Sequence, residues 1–276
     1  WPCSAMTTCK TFLAATAMLA ATASWAQSDT ITSDKVITNA KMIGVGATNI
    51  LDTYLSPEKY RGTELRYISH TTRDSESSRW SRQIVHQGDI AYTDNRSGNG
   101  TEIAGAYNFQ YAWLYNWHFL DRRLNVKAGA AIDATIGFIY NTRNGNNPAQ
   151  ARAMLNITPT GSADYRFTIA GRPFAARYEV GVPLCGLMFS PNYGQSYYEI
   201  FSRGNYDHNV VPTTFVCSPS IRQMLSLDFS IGRTTLRVGY LCDIQQARVN
   251  NLKSHIYTHA FVIGFVKRFK LIKIHP

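Results

Sequence analysis

The chain is sparing in several things, and each scarcity removes a class of protein. Beyond the first thirty residues no stretch approaches the ~18 consecutive apolar residues of a membrane-crossing helix, so no transmembrane helix is predicted. No Walker-type loop, dinucleotide fingerprint or CxxC pair occurs, which removes the commonest nucleotide and thiol-redox signatures. His70, His86 and His118 stand alone in the sequence. His255 and His259 would share a helical face, but in a strand they are roughly 13 Å apart and cannot hold one ion. No metal site and no cofactor is therefore expected. Cysteine is scarce too: five residues, of which Cys185, Cys217 and Cys242 lie beyond the leader. Cys185 and Cys217 bracket an irregular segment that a disulfide would close, although spacing alone fixes no bridge. No charge block or Pro-rich linker divides the chain, so residues 27–276 read as one domain.

What is present begins with an export signal. Met6 reads as the native start, with Trp1 to Ala5 upstream of it. Lys10 supplies a basic n-region, Phe12 to Ala23 an apolar run, and Ser24-Trp25-Ala26 the small residues of a cleavage site before Gln27. This is a Sec-type signal peptide pattern, and the apolar run is too short to span a bilayer.

After Asn39 the chain reads as consecutive strands. From Ile103 to Phe119 the odd positions are Ile, Gly, Tyr, Phe, Tyr, Trp, Tyr, Trp, Phe, and the even positions are mostly small or polar. Alternation with period two is the strand signature. Its length is about three times that of an ordinary soluble strand. Similar alternation gives strands near 41–51, 61–72, 79–92, 124–140, 152–169, 174–184, 220–231, 235–246 and 254–269. Pro159 marks a bend or an end in one of them. Ten strands are countable, and Ser190 to Ser218 has room for two more.

The connections alternate as well. Residues 120–123, 170–173 and 232–234 are tight turns, whereas 94–100, 141–150, 190–218 and 247–253 read as longer polar loops. Outer-membrane barrels have short periplasmic turns and longer outside loops. The opposite faces of the strands carry charges of both signs: Lys127, Asp133, Asp164, Arg166, Arg177, Glu179, Arg222, Asp228, Arg237 and Asp243. Inside a narrow barrel these would pair across the lumen. The expectation is an all-β, antiparallel, up-and-down transmembrane β-barrel of 10–12 strands. Tyr107 to Trp117 form its outer wall at odd positions, and Asn108, Gln110 and Asn116 face its lumen. A soluble secreted sandwich or ligand-binding barrel is the alternative, because alternation does not say which face is inside.

The net charge of +10 is scattered, apart from Lys267, Arg268, Lys270 and Lys273. With an export signal it points to anionic lipid head groups rather than to nucleic acid. The expected partners are outer-membrane lipid and the barrel-assembly machinery during biogenesis, with a monomer as the working state.

Two segments invite a functional reading. Tyr193, Gln195, Tyr197, Tyr198 and Glu199 form a polar and aromatic loop suited to binding or to plugging the lumen, or simply to packing on the rim. Ser196 and His208, with Asn205 and Asn209 nearby, have the residue types of a Ser–His–Asn lipid hydrolase. Catalysis there requires the hydroxyl within hydrogen-bond reach of the imidazole.

The last strand, Tyr257 to Phe269, resembles the closing strand of outer-membrane proteins, although seven residues follow its aromatic end. Tyr193-Gly194-Gln195-Ser196-Tyr197-Tyr198-Glu199-Ile200-Phe201, Ser218-Pro219-Ser220-Ile221-Arg222 and Leu236-Arg237-Val238-Gly239-Tyr240 resemble an uncharacterised family of exported β-barrel proteins of Gram-negative bacteria. The resemblance implies an outer-membrane barrel and no known activity. The role expected is structural, adhesive or that of a narrow pore, without catalysis; the alternative is a barrel enzyme acting on lipids.

Overall fold

The computed structural model describes residues 30–75 and 77–274, with side chains over 35–75 and 77–270. The export signal lies outside the described residues. Residues 34–269 form one compact unit.

The strands are β1 (Thr30–Asp52), β2 (Tyr60–Ser75), β3 (Trp80–Asn95), β4 (Thr101–Phe119), β5 (Leu124–Asn141), β6 (Ala149–Ile169), β7 (Arg172–Gly181), β8 (Cys185–Phe189), β9 (Val210–Thr214), β10 (Ile221–Ile231), β11 (Thr234–Val249) and β12 (Leu252–Ile274). One helical turn, α1 (Tyr197–Phe201), lies between β8 and β9. The sheet runs β5-β4-β3-β2-β1-β12-β11-β10-β7-β6, and β6 pairs back to β5. Ten antiparallel strands thus close a barrel and leave no edge for lipid to face.

β8 and β9 add no staves to this ring. β6 pairs with β7 from Thr160↔Gly181 downward and with β8 from Ile157↔Cys185 upward. Between those pairs, three residues (182–184) face two (158 and 159), so β7 and β8 are one stave broken by a bulge. Pro159 sits opposite that bulge and does not end the strand: Val182 N donates to its carbonyl at 3.0 Å. β9 pairs with β8 from Cys185↔Thr214 to Phe189↔Val210, and so extends the stave of β10.

The turns follow local backbone chemistry. Ala170-Gly171 and Asn250-Asn251 have positive φ at both central residues, and Gly232 at the first of its pair; these are the primed hairpin turns whose twist matches the strands. Asn250-Asn251 corrects the loop expected at 247–253. That connection is a two-residue turn, because Asn adopts left-handed φ more readily than most side chains. Loop lengths therefore alternate less regularly than the sequence suggests. The two ends still differ: connections at 53–59, 142–148 and 182–220 make one end the loop end.

The outward face is apolar all the way round. Ile43, Val45, Leu65, Ile90, Tyr107, Trp113, Ile132, Ile136, Leu155, Tyr240, Phe261 and Ile263 are all exposed. The even positions of β4 point inward, and Ala104, Asn108, Ala112, Leu114 and Asn116 are buried. Rings stack along the outer surface toward the short-turn end, as Tyr165–Phe167 (5.8 Å), Phe167–Phe174 (5.7 Å) and Phe174–Phe229 (6.4 Å). A closed sheet with an apolar exterior and a charged interior is a β-barrel membrane protein.

Candidate functional site

The interior is built around charge. Arg66 of β2 is 3% exposed and serves three carboxylates: Glu64 at 2.7 Å, Asp243 at 2.6 Å and Asp89 at 3.7 Å. Asp243 also holds Arg222 at 3.2 Å, and Arg222 crosses the lumen to Asn108 of β4 at 3.0 Å and Asp133 of β5 at 3.9 Å. Asp133 is further held by Gln110 at 2.6 Å. This belt ties β2, β11, β10, β5 and β4 together. Nearer the short-turn end, Arg177 bonds Asp164 at 2.9 Å and Glu179 at 2.5 Å, and Glu179 meets His70 from the opposite wall at 2.9 Å. Lys127 reaches Asp74 at 2.6 Å, and Arg237 makes a two-pronged pair with Asp228 at 2.6 and 2.8 Å.

The charged residues read from the sequence therefore sit inside, with one exception and several new partners. Arg166 is exposed. Asp164 pairs with Arg177, Lys127 with Asp74, and Arg222 with Asp243. Sequence reasoning missed Glu64, Arg66, Asp89 and Arg152, which complete the belt, and Asp74, the partner of Lys127. Their strands do alternate, but one inward arginine is unremarkable until the barrel brings three carboxylates around it.

Beside the belt lies an apolar layer of Met42, Ile68, Val85, Met224, Leu241, Ala260 and Val262. The opposite wall, β4 to β6, is thin. Ala112 pairs with Ala131, and Ala131 with Thr158. Gly129 approaches β4 so closely that a Cβ there would lie 1.9 Å from the Trp113 carbonyl oxygen. These small residues leave a cavity of about 110 Å³. It follows β6 from Gln150 to Thr160, roughly 33 Å of strand at ~3.3 Å per residue. Asp52, Gln150 and His255 line its loop end, Arg152, Asp133, Arg222 and Asp243 its middle, and Gln83, Ala112, Ala131, Thr158 and Glu179 its deep end. A cavity this long and this small in volume is narrow, with room for several waters.

The loop between β8 and β9 is anchored at the loop end. Tyr197 OH donates to Gln150 Oε1 at 2.8 Å and accepts from Ala151 N at 2.7 Å; Tyr54 OH donates to the Gln195 carbonyl at 2.9 Å. Burial raises both phenols, Tyr54 to about 12, and Tyr197 is pushed up as well. Gln195 is a strut, accepting from Asn192 N and Asn209 Nδ2 and donating to the Asn205 carbonyl. Glu199 closes a capping box on Ser196, and hydrogen bonds from the Ser196 backbone and side chain hold its carboxyl below the ordinary range. Tyr193 and Tyr198 remain exposed, with Arg203 over the Tyr198 ring at 5.5 Å.

The structure does not bring the hydrolase candidates together. Ser196 Oγ is engaged with Glu199, at 3.0 Å to Oε2 and 3.2 Å from the backbone N. His208 is exposed and its Nδ1 lies 2.6 Å from Asp207 Oδ1. Asn209 is spent on Gln195 and the Ser190 carbonyl. Cys185, Cys217 and Cys242 are free thiols, so no disulfide closes the 185–217 segment. His255 bonds Asn49 Oδ1 at 3.1 Å and His259 bonds Tyr240 OH at 2.7 Å, as separate polar contacts. Among the described residues no cluster suits a metal ion.

Solved structures share the barrel shape at low similarity. The transport unit of the autotransporter AIDA-I from Escherichia coli matches at 8% identity and a TM-score of 0.41, covering 91% of this chain and 97% of that one. An outer membrane channel from Pseudomonas putida F1 matches at 9% identity and 0.35, covering 89% and 100%. The translocator domain of NalP from Neisseria meningitidis matches at 11% and 0.34, covering 94% and 96%. No curated protein matches the sequence. The family described as protein of unknown function, DUF3316, matches residues 11–276, and the chain belongs to that family.

Proposed function

We propose that this protein is exported to the outer membrane of a Gram-negative bacterium and works there, as a monomer, as a narrow pore for small solutes. The observation that carries the reading is the long, small-volume cavity along β6. A barrel with a purely structural role gains nothing from an alanine and glycine wall beside a packed one, since an unfilled interior forfeits contacts. The longer connections mark the outside end and the tight turns the periplasmic end. Outer-membrane lipid covers the apolar belt, and the barrel-assembly machinery inserts the chain. Ser196 belongs to the helix cap, so no hydrolysis is assigned to it.

Membrane fractionation with heat-modifiable gel mobility tests the placement: a freely soluble protein without a mobility shift defeats it. Proteoliposome swelling tests the pore. Purified full-length protein should make vesicles permeable to solutes of a few heavy atoms and not to disaccharides. Vesicles that stay as tight as protein-free controls for every solute defeat the pore reading.

A further inference from the structure

The cavity is not chemically uniform along its length. Asp52 stands at its loop end and Arg152 at the start of its middle section. Asp52 is 4% exposed, and its carboxylate accepts from Tyr54 N at 3.0 Å. Arg152 donates to Gln245 Oε1 at 2.6 Å. Among the described residues neither makes an ion pair, but each lies in the field of the other, and Arg152 also faces Asp89, Asp243 and Glu64. The middle section carries more carboxylates (Glu64, Asp89, Asp133 and Asp243) than the guanidiniums of Arg66 and Arg222 that pair with them. An anion entering from the loop end meets Asp52 and then this excess, and in a narrow low-dielectric passage that opposes its entry, because a charge stripped of water needs a partner of opposite sign.

The deep end offers neutral groups instead. Gln83 Oε1 and Thr158 Oγ1 are buried, line the cavity and have no hydrogen-bond partner. Gln83 is 8% exposed and Thr158 2%. They flank Ala112 and Ala131 in one row across β3 to β6, with Gln83↔Ala112, Ala112↔Ala131 and Ala131↔Thr158 as register pairs. A buried amide oxygen and hydroxyl left unpaired are costly, so they favour a guest that donates and accepts. Between them the alanine methyls present an apolar floor. Hydroxyls answer the amide and the threonine, and a C–H face answers the alanines.

We infer that the deep end is a binding station for a small neutral polyol, formed by Gln83 and Thr158 above the Ala112–Ala131 floor. This deepens the pore reading and rests on it for the route in. The station itself is a separate matter from conduction, and the test keeps the two apart.

Swelling of proteoliposomes is measured in glycerol, erythritol, lysine hydrochloride and sodium glutamate, and saturation-transfer NMR with glycerol and erythritol is run on the detergent-solubilised protein. The inference expects swelling in both polyols, little in sodium glutamate, and saturation transfer to both polyols. Thr158→Val should cut polyol transfer about tenfold, the worth of one buried hydrogen bond. Ala131→Leu should abolish it by filling the floor, with heat-modifiable mobility as the check on folding; if that variant does not fold, Thr158→Val carries the test alone. Equal swelling in sodium glutamate and the polyols leaves the pore standing and overturns the choice of solute. No swelling in any solute, with polyol transfer that Thr158→Val removes, defeats the pore and keeps the station. No transfer to either polyol overturns the station, whatever the vesicles do.

Discussion

The two walls of the lumen are made from the same kind of strand and end up opposite in character. On the β1–β3 and β10–β12 side, Met42, Ile68, Val85, Met224, Leu241 and Val262 meet in one apolar layer, and Arg66 gathers three carboxylates beside it. On the β4–β6 side, Gly129, Ala112 and Ala131 hold the positions facing them across the barrel, and space remains. Strand number sets the diameter of a barrel, but side-chain volume on each wall sets whether that diameter is filled. The packed wall fixes the barrel, and the thin wall leaves it a cavity.

The largest expected effect lies on the packed wall. Among the described residues, Arg66→Met removes the one cation that Glu64 bonds and one of two that Asp243 bonds, leaving buried carboxylates short of partners. A loss of about 3–5 kcal/mol is expected, the usual result of breaking a buried ion network from one side. Urea unfolding followed by the heat-modifiable gel shift measures it. If Arg66→Met unfolds at the same midpoint as the parent, the belt is not what holds this wall.

Next comes Leu241→Ala in the apolar layer, expected to cost about 2–5 kcal/mol through lost burial and the cavity left behind. Ala131→Ser on the thin wall is its counterpart and should change the unfolding midpoint little, since the added hydroxyl projects into existing space. Similar losses at both positions would erase the contrast between the walls.

Arg222→Ala probes the link between the two walls. Arg222 reaches both Asn108 and Asp133 directly, while Arg66 reaches Asn108 through Gln87, and Arg222 also lines the cavity. Its removal should destabilise less than that of Arg66, because Asp243 keeps Arg66 at 2.6 Å and Asp133 keeps Gln110. The passage should widen, visible as larger single-channel steps in a planar bilayer. Unchanged conductance would place the constriction elsewhere.

How much of this was legible in the sequence depends on the distance over which each feature is decided. The outward aromatic face of β4 is local: strict alternation from Ile103 to Phe119 announces it, and the barrel only chooses which side is out. The inward position of Lys127, Asp133 and Arg237 follows from the same periodicity. Their partners do not, because Lys127 finds Asp74 and Arg237 finds Asp228 through register and closure. Arg66 looked like any strand arginine for that reason. The Asn250-Asn251 turn was hidden by its own composition, a polar run that reads as loop when only backbone conformation makes it a hairpin. Ser196 and His208 illustrate the converse. Residue type and nearness in sequence suggested chemistry, while a capping box four residues long, Ser196 to Glu199, had a stronger local claim on the serine.

That capping box supplies the smallest effect, and it separates the loop from both walls. Ser196→Ala should loosen α1 by about 1 kcal/mol, the ordinary worth of a helix N-cap, and leave the barrel's unfolding midpoint where it was. The pH dependence has a definite sign. The folded pKa of Glu199 is depressed by its bonds from Ser196, so its contribution is present above the ordinary glutamate pKa and is lost as pH falls through the lowered value. Acidification below about pH 4 should therefore expose the 190–209 segment to an acid-active protease before the barrel itself responds, and Glu199→Gln should show that sensitivity already at neutral pH. Tyr197 and Tyr54 still pin the loop to the rim through Gln150 and the Gln195 carbonyl. If cleavage of that segment at neutral pH proceeds at the same rate in the parent and in Glu199→Gln, those two tyrosines hold the loop without the helix cap.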